Sequence, residues 1–87
     1  MSYALVWPDD ALDRLADAYL AARADGRGDE FNQSVGAMEA ALAHDPVALG
    51  EARAGLIRVL YDLPASLLYR VDEPNRTVVI LDVRYHG

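Results

Sequence analysis

The apolar residues of this sequence recur with two different periods, and this change constrains the fold more than any other feature. Up to about residue 44 they recur every three to four positions, as on one side of an α-helix. After about residue 55 they alternate with other residues, as on one side of a β-strand. A chain that changes from the first period to the second is predicted to pack helices against a sheet.

Two helices and four strands follow from these periods. The predicted helices span about residues 9–24 and 29–44, and the predicted strands span residues 3–7, 55–61, 65–71 and 77–85. The two helical stripes are formed by Leu12, Leu15, Tyr19 and Ala22 and by Phe31, Val35, Met38 and Leu42. The prediction is one α+β domain over residues 1–87, in the order β-α-α-β-β-β. A helical hairpin packs on one face of a small, mainly antiparallel four-stranded sheet.

The alternation in the last strand assigns its residues to the two faces of the sheet. The residues predicted to face the helices are Val79, Leu81, Val83 and Tyr85, and those predicted to face the open side are Ile80, Asp82 and Arg84.

The charge of the chain is negative and unevenly distributed. All eight cationic side chains are arginines, and the formal net charge is −6. Residues 1–45 hold nine acids and three arginines, whereas residues 46–87 hold five of each, so the whole excess lies in the first half. Because proteins that bind free nucleic acid need a basic surface to displace counterions, we expect no direct binding of that kind.

The sequence also predicts what kinds of site and location to expect. It has no cysteine, which excludes disulfides and thiolate metal ligands. His44 and His86 lack the spacing of a metal site, and no glycine-rich phosphate loop is present, so we expect neither a metal nor a cofactor. With no signal peptide and no apolar run of about 20 residues, a soluble cytoplasmic protein without a membrane partner is expected.

Two long segments resemble the RelE/ParE superfamily of bacterial toxins from type II toxin–antitoxin systems. They are "VWPDDALDRLADAYLAA" near the start and "DPVALGEARAGLIRVLYDLPASLLYRVDEPNRTVVILDVRYHG" at the end. The resemblance implies a toxin that a small cognate antitoxin wraps and neutralises. RelE-like members cleave messenger RNA on the ribosome, and ParE-like members bind and inhibit DNA gyrase.

The resemblance implies different residues for the two activities. For a RelE-like ribonuclease, Arg58, Arg84, Tyr85 and His86 would be catalytic, because the reaction needs cations beside the phosphate and a group that moves protons. For partner binding, Arg58, Arg70 and Arg84 are expected to share the open face of the sheet. The same arginines are also typical of an ordinary solvent-exposed face of a sheet, on which they form cross-strand ion pairs with Asp82 or Asp72.

Departures from the RelE pattern favour the ParE-like alternative. Ser66 stands where RelE-like ribonucleases tend to carry an arginine. Arg58 is the one cation in the segment that corresponds to their lysine-bearing strand. The sequence ends at Gly87, before the extension that holds their tyrosine. The first hypothesis is therefore a toxin that binds a protein target, and the second is a ribosome-dependent endoribonuclease. A third is a non-toxic module that dimerises through Val78 and Ile80.

Overall fold

The structure is a computed structural model that describes residues 2–87. Its elements, in chain order, are β1 (Ala4–Val6), α1 (Asp9–Ala24), α2 (Gly28–His44), β2 (Glu51–Ala54), β3 (Ile57–Asp62), β4 (Ala65–Asp72) and β5 (Thr77–Tyr85). The predicted α+β class and helical hairpin are confirmed, while the sheet has five strands rather than four. No helix among the described residues is long and apolar enough to cross a membrane.

The additional strand is β2, which lies at one edge of the sheet. The strand order is β1-β5-β4-β3-β2, with β1 parallel to β5 and all other neighbours antiparallel. All four residues of β2 are exposed, and their sequence, Glu-Ala-Arg-Ala, has no β-branched and no large apolar residue. This strand forms because a tight turn at Gly55, which has φ +57°, folds it back onto β3.

The core lies between the helical hairpin and the sheet. The largest side chains that it buries completely come from α2, β4 and β5, and they include Phe31, Met38, Leu67, Tyr69 and Ile80. Each such side chain contributes about 1.5–3 kcal/mol by leaving water. The two helices are therefore held on one face of the sheet, and the opposite face stays open.

A β-bulge in β5 changes which residues face the helices. The register pairs Tyr69 with Ile80 and the preceding Leu68 with Asp82, so Leu81 is an extra residue without a partner in β4. Before the bulge Val78 and Ile80 face the core, and both are fully buried. The predicted open-side position of Ile80 is thus wrong.

Beyond the bulge, the residues of β5 occupy the faces that the alternation predicted. Val83 and Tyr85 belong to the core side, and Asp82 and Arg84 belong to the open side. The burial of Val78 and Ile80 also removes the surface through which dimerisation was predicted, because neither side chain can contact a second protein.

Candidate functional site

The open face of the sheet carries a groove of about 190 Å³. We call it the open-face groove. Its lining residues come from β2, β3, β4, β5 and the C-terminal tail: Arg53, Val59, Tyr61, Ser66, Leu68, Asp82, Arg84 and His86. The groove therefore combines two guanidinium groups, an imidazole, a phenol and a hydroxyl above an apolar floor.

Arg53 is held at the β2 side of the groove by two neighbours. One terminal nitrogen donates to the hydroxyl of Tyr61 over 3.3 Å, and the other lies 3.3 Å from a carboxylate oxygen of Glu51. The bond to Tyr61 and then the carboxylate of Glu51 raise the pKa of Arg53 above its ordinary value, although partial burial opposes them. Arg53 is therefore a permanent cation at this edge.

Ser66 and His86 form the closest polar contact in the groove. Ser66 Oγ lies 2.7 Å from His86 Nε2, and the tautomer of the imidazole decides which of the two donates. The backbone amide of His86 also donates to the carbonyl of Pro64 over 2.8 Å, which positions the ring although it lies next to the last residue. The ring of Tyr61 lies 5.9 Å from the imidazole, at a tilt of 52°.

Arg84 and Asp82 form an ion pair at the opposite side of the groove. Arg84 Nε donates to Asp82 Oδ2 over 3.1 Å. The other oxygen of Asp82 accepts the backbone amide of Val83 over 2.9 Å and lies 3.5 Å from a guanidinium nitrogen of Arg14. Asp82 is thus a partly buried carboxylate that neutralises the cation beside it, whereas Arg84 is 73% exposed.

The predicted position of Arg58 on the open face is wrong. Directly opposed residues of antiparallel strands share a face, and Arg58 is opposed to the buried Tyr69. Its guanidinium donates to the backbone carbonyls of Leu49 and Gly50, over 3.0 and 3.1 Å, on the helix side of the sheet. The three arginines predicted to share a face therefore do not, and Arg58 holds the loop before β2 instead.

Arg70 lies on the open face but outside the groove. It is opposed to Ile57 in β3 and to Val79 in β5, towards the end of the sheet where β1 pairs with β5. Of the three predicted partner-binding arginines, Arg70 and Arg84 share the open face, and of these Arg84 lines the groove.

Tyr85 lies on the helix side, away from the groove. Its hydroxyl donates to Asp25 Oδ2 over 2.7 Å, and its ring packs edge-on against Phe31 at 6.1 Å between centroids. The hydrogen bond to Asp25 is the largest cause that raises the pKa of Tyr85. Among the four residues predicted to be catalytic in a ribonuclease, the structure brings together Arg84 and His86, and it separates Arg58 and Tyr85 from them.

Sequence reasoning did not include Arg53, Tyr61 or Ser66 among the candidate residues of this groove. Arg53 lies on the unpredicted strand β2. Ser66 was considered only as a replacement for an arginine, and its contact with His86 was not expected. The pairing of Ser66 with Arg84 across β4 and β5 would have indicated its face, but that register depends on the bulge at Leu81.

The groove can bind a single anionic group, but it does not form a strongly positive surface. Each groove arginine already contacts a carboxylate, Arg53 with Glu51 and Arg84 with Asp82. The pair of Arg53 and Glu51 is exposed on both sides, and exposed ion pairs are weak and exchange readily with a carboxylate or phosphate of a ligand. The imidazole of His86, held by Ser66, adds a group that can donate or accept a proton.

Comparisons with known proteins identify the fold. The sequence matches no protein-family model and no curated protein significantly. The structure is similar to a chain in the crystal structure of the toxin–antitoxin complex RelBE2 from Mycobacterium tuberculosis, with a TM-score of 0.68 and 23% sequence identity. The similarity covers 98% of this chain and 99% of that chain. The protein therefore shares the fold of a chain of that toxin–antitoxin complex, and at this identity the similarity establishes the fold rather than the family or the activity.

Proposed function

We propose that this chain is the toxin-like component of a type II toxin–antitoxin module. In this proposal it acts in the cytoplasm by binding a protein target, as ParE-like toxins do, and a cognate antitoxin neutralises it. The fold supports the proposal, because a chain of a toxin–antitoxin complex matches almost the whole structure. DNA gyrase is the first target to test and the ribosome the second.

The pairing of the groove arginines with carboxylates is the observation that favours protein binding over RNA cleavage. Glu51 and Asp82 neutralise Arg53 and Arg84, and the chain as a whole carries −6. A groove that is neutral in sum does not attract a polyanionic ribosome over long distances. It does fit a protein surface, where short-range charge complementarity and register decide binding.

The proposed antitoxin contact is the open face, with Arg70 and Arg84 as the binding arginines. Arg84 is mostly exposed and Arg70 lies on the same face, so carboxylates of a partner can reach both. Arg58 is not part of this proposal because its guanidinium is bound to loop carbonyls on the helix side.

A second candidate, a ribosome-dependent endoribonuclease, is favoured by one contact, the 2.7 Å pair of Ser66 and His86. In that reaction the 2′-hydroxyl attacks the adjacent phosphorus and the bond to the 5′-oxygen breaks. His86 would take the proton from the 2′-hydroxyl and return it to the leaving 5′-oxygen, and Arg84 with Arg53 would stabilise the charge on the phosphate. The groove of about 190 Å³ between these residues has room for a phosphate group.

The test is growth of a bacterial host after tightly controlled induction of this chain alone. Growth arrest with altered DNA supercoiling and intact messenger RNA is the expected result. Arrest with cleaved ribosome-bound message that is lost in His86→Ala would replace the first candidate by the second. Normal growth with soluble, folded protein would overturn both.

Variants locate the surface in the same assay. Arg84→Glu is expected to weaken antitoxin rescue, since a carboxylate partner would meet a second carboxylate beside Asp82. Arg23→Glu is the matched control, because Arg23 is an exposed arginine in the last turn of α1, on the helix side. Equal effects of the two reversals would show that net charge, rather than the open face, decides the interaction.

A further inference from the structure

The outer edge of β2 is an unpaired strand edge. The sheet order ends at β2, and no strand in the described residues 2–87 pairs with its outer side. No helix packs against β2, and all four of its residues are exposed. Free backbone amides and carbonyls along such an edge are a template for another strand.

The charges along β2 are complementary to those of a second β2 strand that runs antiparallel to it. Glu51 and Arg53 flank Ala52 and both belong to the open side of the sheet, where they contact each other over 3.3 Å. Arg53 is the extra residue of a β-bulge, because the register with β3 shifts between Ala52 and Ala54. If a second β2 strand pairs antiparallel about Ala52, Glu51 of each copy lies opposite Arg53 of the other. An edge with like charges would repel its copy, whereas this sequence attracts it through two opposite-charge pairs.

We propose that the β2 edge is a self-association surface, at which two copies of this chain pair antiparallel about Ala52 and form one continuous ten-stranded sheet. The inference goes beyond the proposed function, because it needs neither a target nor an antitoxin. Since Arg53 also lines the open-face groove, the two grooves of the dimer lie on the same face of the sheet, on either side of the two-fold axis.

The expected dimer is weak and reversible. Four strand residues per copy form a smaller contact than the roughly 1,200–2,000 Å² of stable complexes, so the dissociation constant is expected in about the micromolar to millimolar range. The internal pair of Glu51 and Arg53 is exchanged for two pairs across the axis, and both side chains are already held on the correct face.

Charge reversal with mixing is the test. Sedimentation velocity over a range of concentrations is expected to show a monomer–dimer equilibrium for the wild type. Arg53→Glu and Glu51→Arg, each alone, place like charges opposite each other and should weaken dimerisation on the order of tenfold or more. An equimolar mixture of the two variants restores opposite charges and should dimerise again, as a heterodimer.

Two controls separate this edge from other surfaces. Arg23→Glu reverses an exposed arginine in the last turn of α1, a helix that does not contact β2, and should leave the equilibrium unchanged. Amide chemical shifts of residues 51–54 should change with concentration, whereas those of β1, at the opposite edge, should not. The second measurement remains informative even if a charge reversal impairs folding.

Several results would overturn the proposal. These are a wild type that stays monomeric at the highest soluble concentration, a dimer that Arg53→Glu leaves intact, or mixed variants that fail to associate. A partner's extended segment that adds to β2 while the chain alone stays monomeric would also replace the second copy as the occupant. None of these results bears on growth arrest, so the proposed toxin function is tested separately.

Discussion

Arg58 and Tyr69 face each other across β3 and β4 and donate to the same acceptor, the backbone carbonyl of Leu49, over 3.0 and 2.9 Å. Tyr69 shares its hydroxyl hydrogen with the carbonyl of Pro46, also at 2.9 Å, and Arg58 adds a bond to Gly50. Together they hold the loop of residues 45–50, which leads from α2 to β2. The open-face groove depends on this loop because β2 carries Arg53.

Loss of the Arg58 guanidinium is predicted to destabilise the fold. Arg58→Met keeps most of the apolar stem but leaves two loop carbonyls without a charged donor, so the free energy of unfolding should fall by about 1–3 kcal/mol. Urea denaturation measures it. Arg70→Met, an arginine of the open face, is the matched control and should change stability by less than about 0.5 kcal/mol. Equal losses in both variants would contradict a structural role specific to Arg58.

Gly50 is predicted to tolerate no side chain. Its φ is +73°, and a Cβ there would lie 2.6 Å from the carbonyl oxygen of Val59 and 2.7 Å from the hydroxyl of Tyr69. Gly50→Ala should therefore lower the free energy of unfolding by more than about 1 kcal/mol, because both backbone strain and steric overlap oppose it. Thermal denaturation measures the change. Gly36→Ala in α2, where a Cβ meets nothing within 4 Å, should instead be neutral or stabilising.

The buried phenol of Tyr69 predicts a loss of stability at alkaline pH. Burial raises the pKa of Tyr69 above its ordinary value, and the nearby Arg58 only partly offsets this. A raised folded-state pKa of an acid contributes stability that is present below the unfolded value of about 10 and is lost as pH rises through the folded value.

Tyr69→Phe tests this dependence. At neutral pH the variant should be less stable by about 1 kcal/mol, because the hydroxyl no longer bonds to Pro46 and Leu49. Above about pH 10 the difference from the wild type should shrink, since Phe does not ionise. The measurement is unfolding by urea at several pH values. A difference that stays constant up to pH 11 would contradict the raised pKa.

The extra residue in β5 predicts that its deletion preserves the faces of the strand. Leu81 has no partner in β4, so removing it leaves the register on both sides of the bulge intact and keeps Val83 and Tyr85 on the core side. Cooperative thermal unfolding should therefore be retained. Removing Leu81 and Asp82 together is the contrast, because it turns Val83 and Tyr85 to the open face or forces the strand out of register, and cooperative unfolding should then be lost. Identical unfolding curves for the two variants would contradict this assignment of faces.

Much of the fold could be predicted from the sequence because its signals are local. α1 has the predicted bounds, and α2 begins one residue earlier than predicted. Three of the strands were located to within two residues at each end, and β5 has the predicted bounds. Apolar period, proline and glycine act within a few residues, so the order of elements and the helical hairpin follow without knowledge of distant contacts.

The candidate site was less predictable, because its composition depends on how strands meet. β2 lacks the β-branched and large apolar residues typical of strands, and it forms because it pairs with β3. This pairing places Arg53 at the groove. Arg58 was assigned to the open face, but the register with β4 turns it to the helix side beside Tyr69. Ser66 and His86, which are 20 residues apart in sequence, meet because β4 and β5 are neighbours.

The helices, most of the strands and the charge of this protein follow from local patterns in the chain. Which side chains share a face depends instead on how the strands pair. A strand alternates with a period of two, so one bulged residue at Leu81 or one unforeseen edge strand reassigns side chains between core and open face without changing any local pattern. Faces are set by pairing between distant segments, and no local preference of the sequence encodes that pairing.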